Sequence, residues 1–328
     1  MKTLLIKIVL LLTPYIILTL TVIYYDEHSV PIREDVFNNV LEGKIQAFIK
    51  ANTDIIIGGD SRAERQVVPA IVLSHTGRNA VNIATTSCDL VTLYNALKKH
   101  DICSKSCTLI ISTSIFQVND GAIDPGYLSE ASLLNMSLHE KIVVHRSTLD
   151  RLLVDLVKIT ILGMVSHPEP VSEALIRENG FHGIQENLKL PVNVLMDPKK
   201  TNHPWYRNLH LRGARWRIFQ ETLNKLAASH MRIYIYQPPV SPAWRTYTVG
   251  SFIDQSEREF GSMLRAATQK YSNVQFLDFY SNPDARLGNS MYYDIQHLNR
   301  AGAEIFTEIL MEKIGNDLRT ELLDKGRK

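Results

Sequence analysis

Residues 53–66 read TDIIIGGDSRAERQ, and the order of residue types in this stretch decides the fold. Thr53 to Gly58 is a short apolar run rich in β-branched residues, the pattern of a strand buried on both faces. Gly58, Gly59 and Asp60 close the run, so the chain must turn sharply, and Ser61 falls where the next helix begins. The first N–H groups of a helix lack intrahelical partners and point at whatever sits beside that serine. A serine so placed can offer its hydroxyl to a carbonyl carbon while its own N–H supports the developing oxyanion.

Further strands follow the same logic. Ala80 to Ala84 (AVNIA) leads into the small polar cluster Thr85, Thr86 and Ser87, and a helix over Leu90 to Lys99 separates it from Cys107 to Ser112 (CTLIIS). Two more strands are expected at Met231 to Gln237 and Asn273 to Phe279. Strands alternating with helical stretches predict βαβ units on a parallel sheet, a doubly wound α/β domain. About 115 residues lie between the third and fourth strands, far more than a crossover needs. Leu149, Leu152, Leu153, Leu156 and Val157 repeat at helical spacing there, and Ile159 to Val165 is apolar almost all round, which suits a core helix or a contact patch. Glu178 to Trp216 reads as a loop carrying His203, Trp205, Tyr206, Arg207, His210, Arg212, Arg215 and Trp216, residues that line carbohydrate clefts and also pack ordinary loops.

Serine is a weak nucleophile at neutral pH and needs a base, a histidine held by a carboxylate, from elsewhere in the chain. YYDIQHLNRAGAEIF, residues 292–306, supplies one. Asp294 and His297 stand three apart, after the last strand and ahead of a helix with Ala301, Ile305, Ile309 and Leu310 on its apolar positions. A single turn at this spacing lets carboxylate and imidazole face the cleft where neighbouring parallel strands end.

The N-terminus is of another kind. Ile8 to Tyr25 runs 18 residues without a charge, about 27 Å as a helix and enough for a bilayer core. No A-x-A-like cleavage site follows, so the run reads as a transmembrane signal anchor (residues 1–28) rather than a removed signal peptide or a buried core helix. Lys2 and Lys7 precede it and Arg33 alone follows closely, which predicts a cytoplasmic N-terminus and a periplasmic or extracellular domain, in a bacterium at the inner or cytoplasmic membrane. A polar, helical connector covers 29–52, the α/β domain 53–316 with its insertion at about 121–216, and a polar tail 317–328.

Composition narrows the classes. Of 328 residues 45% are hydrophobic and 21% charged, which excludes disordered and collagen-like chains. With 36 basic against 34 acidic side chains there is no nucleic-acid footprint. Three cysteines are too few for a disulfide scaffold; Cys103 and Cys107 are candidates to pair, or all three are buried thiols. His139-Glu140 opens like a zinc motif, but His145 is six positions on instead of four, and no glycine-rich phosphate loop occurs, so neither metal nor cofactor is expected.

GDS after the first strand and DxxH before the closing helix, in this order, resemble the SGNH/GDSL hydrolase superfamily. That resemblance implies a flavodoxin-like three-layer α/β/α fold with Ser61 as nucleophile, His297 as base and then acid, and Asp294 orienting His297. It further implies an oxyanion hole from Ser61, a second-block residue for which Ser87 is the stand-in, and Asn119 of Gln117-Val118-Asn119-Asp120 in place of the family's GxND. Ser112 and Ser114 are alternatives for that last donor. The anchor, the GDSR start with Pro69 downstream, the NIATTS block, YQPPVSP after the fourth strand and the insert look like membrane-anchored proteins of cell-surface polymer modification, similar to the DltD proteins of teichoic acid D-alanylation and the alginate O-acetylation proteins. Those work beside a membrane-bound O-acyltransferase. The expected function is extracytoplasmic acyl transfer through a seryl ester onto a glycan or polymer. The alternatives are an anchored esterase or deacylase and a catalytically degenerate scaffold.

Overall fold

The computed structural model describes residues 34–86, 88–120, 178–184, 206 and 209–325, with the side chains of 34–39 and 320–325 left aside. The expected anchor, Ser87, the 149–165 helix, His203, Trp205 and Arg207 lie outside the described residues. Among those described, no helix is long and apolar enough to cross a membrane.

Five parallel strands form one sheet: β1 (Ile55–Gly58), β2 (Ala80–Asn82), β3 (Thr108–Ser112), β4 (Arg232–Gln237) and β5 (Val274–Asp278), in the order β2-β1-β3-β4-β5. All five expected strands are present, each trimmed at one end or both. At the first, Thr53 Oγ1 accepts the Lys50 N–H at 2.9 Å and belongs to a turn. At the second, the Asn82 side chain accepts the Ala84 N–H at 3.0 Å, while Ile83 and Thr85 beyond the strand still donate to Ile57 O and Gly59 O.

Nine α-helices are described: α1 (Glu34–Phe48), α2 (Ser61–Gln66), α3 (Pro69–Thr76), α4 (Leu90–Lys99), α5 (Ile115–Val118), α6 (Ala214–Ala227), α7 (Pro242–Thr248), α8 (Phe252–Thr268) and α9 (Arg300–Lys325). Because strand side chains alternate between faces, one strand feeds two cores. Ile56, Leu109, Ile111, Ile233 and Ile235 pack with Leu41, Leu93, Phe219 and Leu264 on one side, from α1, α4, α6 and α8. Ile55, Ile57, Ile110, Tyr234 and Tyr236 pack with Ala63, Val72, Phe306 and Leu310 on the other, from α2, α3 and α9. The three layers follow from the continuous apolar runs, since a strand buried on both faces cannot alternate polar with apolar.

Two expectations need correction. Arg215 and Trp216 are not loop residues: α6 starts at Ala214, and both are buried, with Trp216 stacked on Phe219 at 5.4 Å. The helix begins there because Asp120, distant in sequence, accepts the N–H groups of Ala214 and Arg215 at 2.8 and 2.9 Å. The supposed polar tail is largely α9, which continues to Lys325 with Leu318 fully buried. None of the three cysteines forms a disulfide among the described residues; Cys88 and Cys107 are buried and Cys103 is half-buried.

Candidate active site

The strand order reverses its direction of growth between β1 and β3, and the crevice of a doubly wound sheet opens at the carboxyl ends of strands at such a point. Ser61 follows β1 there. Gly59 makes the turn possible: its φ is +114°, and a Cβ would lie 2.6 Å from Ser112 O at the end of β3. Asp60 then caps α2, accepting the Arg62 N–H at 3.0 Å. Its carboxylate also accepts from Ser112 Oγ at 2.6 Å, from Ser114 Oγ and, at 3.5 Å, from Gln117 Nε2. Arg62 is buried 3.6 Å from the same carboxylate. Burial alone would raise the Asp60 pKa, but the Arg62 charge and these hydrogen bonds hold it below the usual range. The hydroxyls of Ser112 and Ser114 are thus both engaged in fixing the Ser61 turn.

His297 comes from the other end of the chain. Tyr292 and Leu298 form an antiparallel bridge that encloses the DxxH turn, and the Tyr293 N–H donates to His297 O at 2.8 Å. Asp294 works twice. Oδ1 accepts the N–H groups of Gln296 and His297 at 2.8 and 2.7 Å, and Oδ2 lies 2.7 Å from His297 Nδ1. His297 Nε2 is 2.8 Å from Ser61 Oγ. Burial raises the Asp294 pKa, yet its hydrogen bond to His297, the His297 charge and the two backbone N–H groups outweigh that and lower it. A carboxylate held ionised on Nδ1 selects the tautomer with its proton there, leaving the Nε2 lone pair for the serine proton.

The sequence thus names three residues that the fold brings into a chain of hydrogen bonds. Asn119 ends α5, buried, and its Oδ1 accepts the His210 N–H at 2.8 Å; with Asp120 it secures the chain returning into α6. The second block runs beside the site, since the Thr85 N–H donates to Gly59 O at 3.1 Å.

Sequence reading missed the residues that hold α2 in place. Asn82 Nδ2 donates to Ala63 O and Val67 O at 2.9 and 3.0 Å. Lys44 of α1, fully buried, donates to Glu64 Oε1 at 2.8 Å and Ala84 O at 2.6 Å. Gln66 Nε2 donates to Gln296 O at 2.9 Å. Asn82 opens the NIATTS block and Gln296 lies inside DxxH, but neither motif signals these bonds, and Lys44, Glu64 and Gln66 carry no signal of their own; an apolar-period reading passes over buried polar residues, and the tertiary fold reveals them. No group of three or more acidic, His or Cys side chains is placed to hold a metal ion among the described residues.

No protein-family model matches the chain, and no curated protein does. Among solved structures, one from Streptococcus pneumonia, provisionally described as a platelet activating factor, is similar at 11% identity and a TM-score of 0.40, over 86% of this chain and 91% of that one. The site's own geometry carries the reading that follows.

Proposed function

We propose that the chain is a serine acyl-transfer enzyme of the SGNH/GDSL type. The observation that carries this is the Ser61–His297–Asp294 relay, with Ser61 Oγ 2.8 Å from Nε2 and Nδ1 2.7 Å from Asp294. As Ser61 Oγ bonds to the acyl carbon, its proton passes to His297 Nε2 and the carbonyl π pair becomes an oxyanion. Collapse expels the leaving group, which takes the proton from His297 and leaves a seryl ester. His297 then removes a proton from the second nucleophile, and the same steps run in reverse. The oxyanion donor we assign from the turn is the Ser61 N–H, with Ser87 and Asn119 as the donors that the SGNH/GDSL resemblance implies, each worth about 3 kcal/mol to the transition state.

A sugar or polymer hydroxyl as second nucleophile makes the protein an O-acyltransferase, and water makes it an esterase. The apolar run Ile8 to Tyr25 favours the first: a catalytic domain tethered outside the membrane works beside surface glycans, with a membrane-bound O-acyltransferase as supplier of acyl groups. The aligned relay speaks against a degenerate scaffold. Intact mass spectrometry of the full chain after incubation with an acetyl ester tests the reading. One added acyl group on Ser61, absent from Ser61→Ala and discharged faster by a polysaccharide than by water, is the expected result. A folded chain that never acquires the adduct refutes it.

A further inference from the structure

The DxxH turn is rigid within itself, because Asp294 Oδ1 and the Tyr293–His297 bond close it. Those bonds do not set its distance from Ser61, which lies on another element more than two hundred residues earlier. Besides the Ser61–His297 contact itself, a second hydrogen bond joins α2 to this turn: Gln66 Nε2 to Gln296 O, 2.9 Å, with both residues buried. Gln66 is the last residue of α2, about 7.5 Å along the helix from Ser61. The bonded partner is the backbone carbonyl immediately before His297.

The far end of α2 is tied as well. Thr307 of α9 accepts the Val68 N–H at 3.0 Å, and its hydroxyl lies 2.7 Å from Ala303 O and 3.2 Å from Gln66 O. Since α9 starts just after the turn, three contacts run as rungs between the segment 61–68 and the segment 296–307: Ser61 to His297, Gln66 to Gln296, Val68 to Thr307. From this juxtaposition we infer that Gln66, backed by Thr307, is a positioning residue that sets the separation of Ser61 and His297.

A core-filling role fits Gln66 less well. Its Oε1 is buried without a hydrogen-bond partner, so half of the amide is left unsatisfied, a poor arrangement for stability alone. An apolar side chain of similar length removes that orphan while leaving Gln296 O without its donor, so stability changes little and the rung is lost. The inference rests on the acyl-transfer reading for its catalytic consequence, but not for its geometric content.

The test uses the full-length chain with 15N-labelled histidine. The His297 Nε2 resonance is identified by its loss in His297→Asn, and Ser61→Ala marks its position without the serine partner. Gln66→Met is expected to move this resonance toward the Ser61→Ala position, and Thr307→Val to move it the same way by less. A displacement near 1 Å also lowers kcat for acylation by about 10²-fold with KM unchanged, because neither residue touches substrate. A merely structural role predicts a lower Tm with both the resonance and kcat of the folded protein at their wild-type values, and that result overturns the inference. If Gln66→Met does not fold, Thr307→Val decides by the same resonance. If the wild-type chain accepts no acyl group, the acyl-transfer reading fails while the resonance still decides the positioning claim.

Discussion

Asp60 and Asp89 are both buried and both cap a helix, yet their carboxyls shift in opposite directions. Burial raises each. At Asp60 the Arg62 charge and the serine hydroxyls outweigh it, whereas at Asp89 the hydrogen bonds of Thr92 and the Arg215 charge do not, and the carboxyl is pushed up to about 6. The folded state therefore binds the Asp89 proton more tightly than the unfolded chain does, and stability falls as pH rises from about 4 through 6. At most about 3 kcal/mol is lost in this window. Asp89→Asn keeps an acceptor for the Thr92 N–H and has no charge to bury. Its Tm relative to wild type should climb between pH 4.5 and 7.5, and parallel profiles would refute the assignment. GDS and DxxH were legible in the sequence because their chemistry is local. That Asp60 would take both Ser112 and Ser114 was not, since those residues reach it only when β3 lies beside β1.

At the scale of elements, α2 is a six-residue helix that cannot hold itself. Its sides are fixed by Asn82, by Gln66 and by the buried pair of Lys44 and Glu64, which fastens α1 to it. Removing one member of such a pair strands the other charge, at a cost of about 3–5 kcal/mol. Lys44→Met should lose that much in urea denaturation, and Lys44→Met with Glu64→Gln should recover most of it; equal losses would show that the pair is not coupled. The strands were readable from their β-branched runs. The start of α6 was not, for its cap is Asp120 and Gly213 admits that carboxylate where a Cβ would lie 1.5 Å from Oδ2. No window of sequence around residue 214 contains that signal.

At the scale of the molecule, the sheet brings the carboxyl end of β1 against the end of β3 and lets the chain return, after β5, to lay the DxxH turn beside Ser61. Parallel strands and two apolar faces dictate this layout, and both were visible as continuous apolar runs. The most direct test is the rate at which a fluorophosphonate probe labels the full-length chain. The relay predicts labelling at Ser61 that vanishes in Ser61→Ala, falls by about 10⁴-fold or more in His297→Ala and by about 10⁴-fold in Asp294→Asn, where the imidazole tautomer is wrong. A folded wild-type chain that stays unlabelled, or labelling that persists undiminished in His297→Ala, would contradict it.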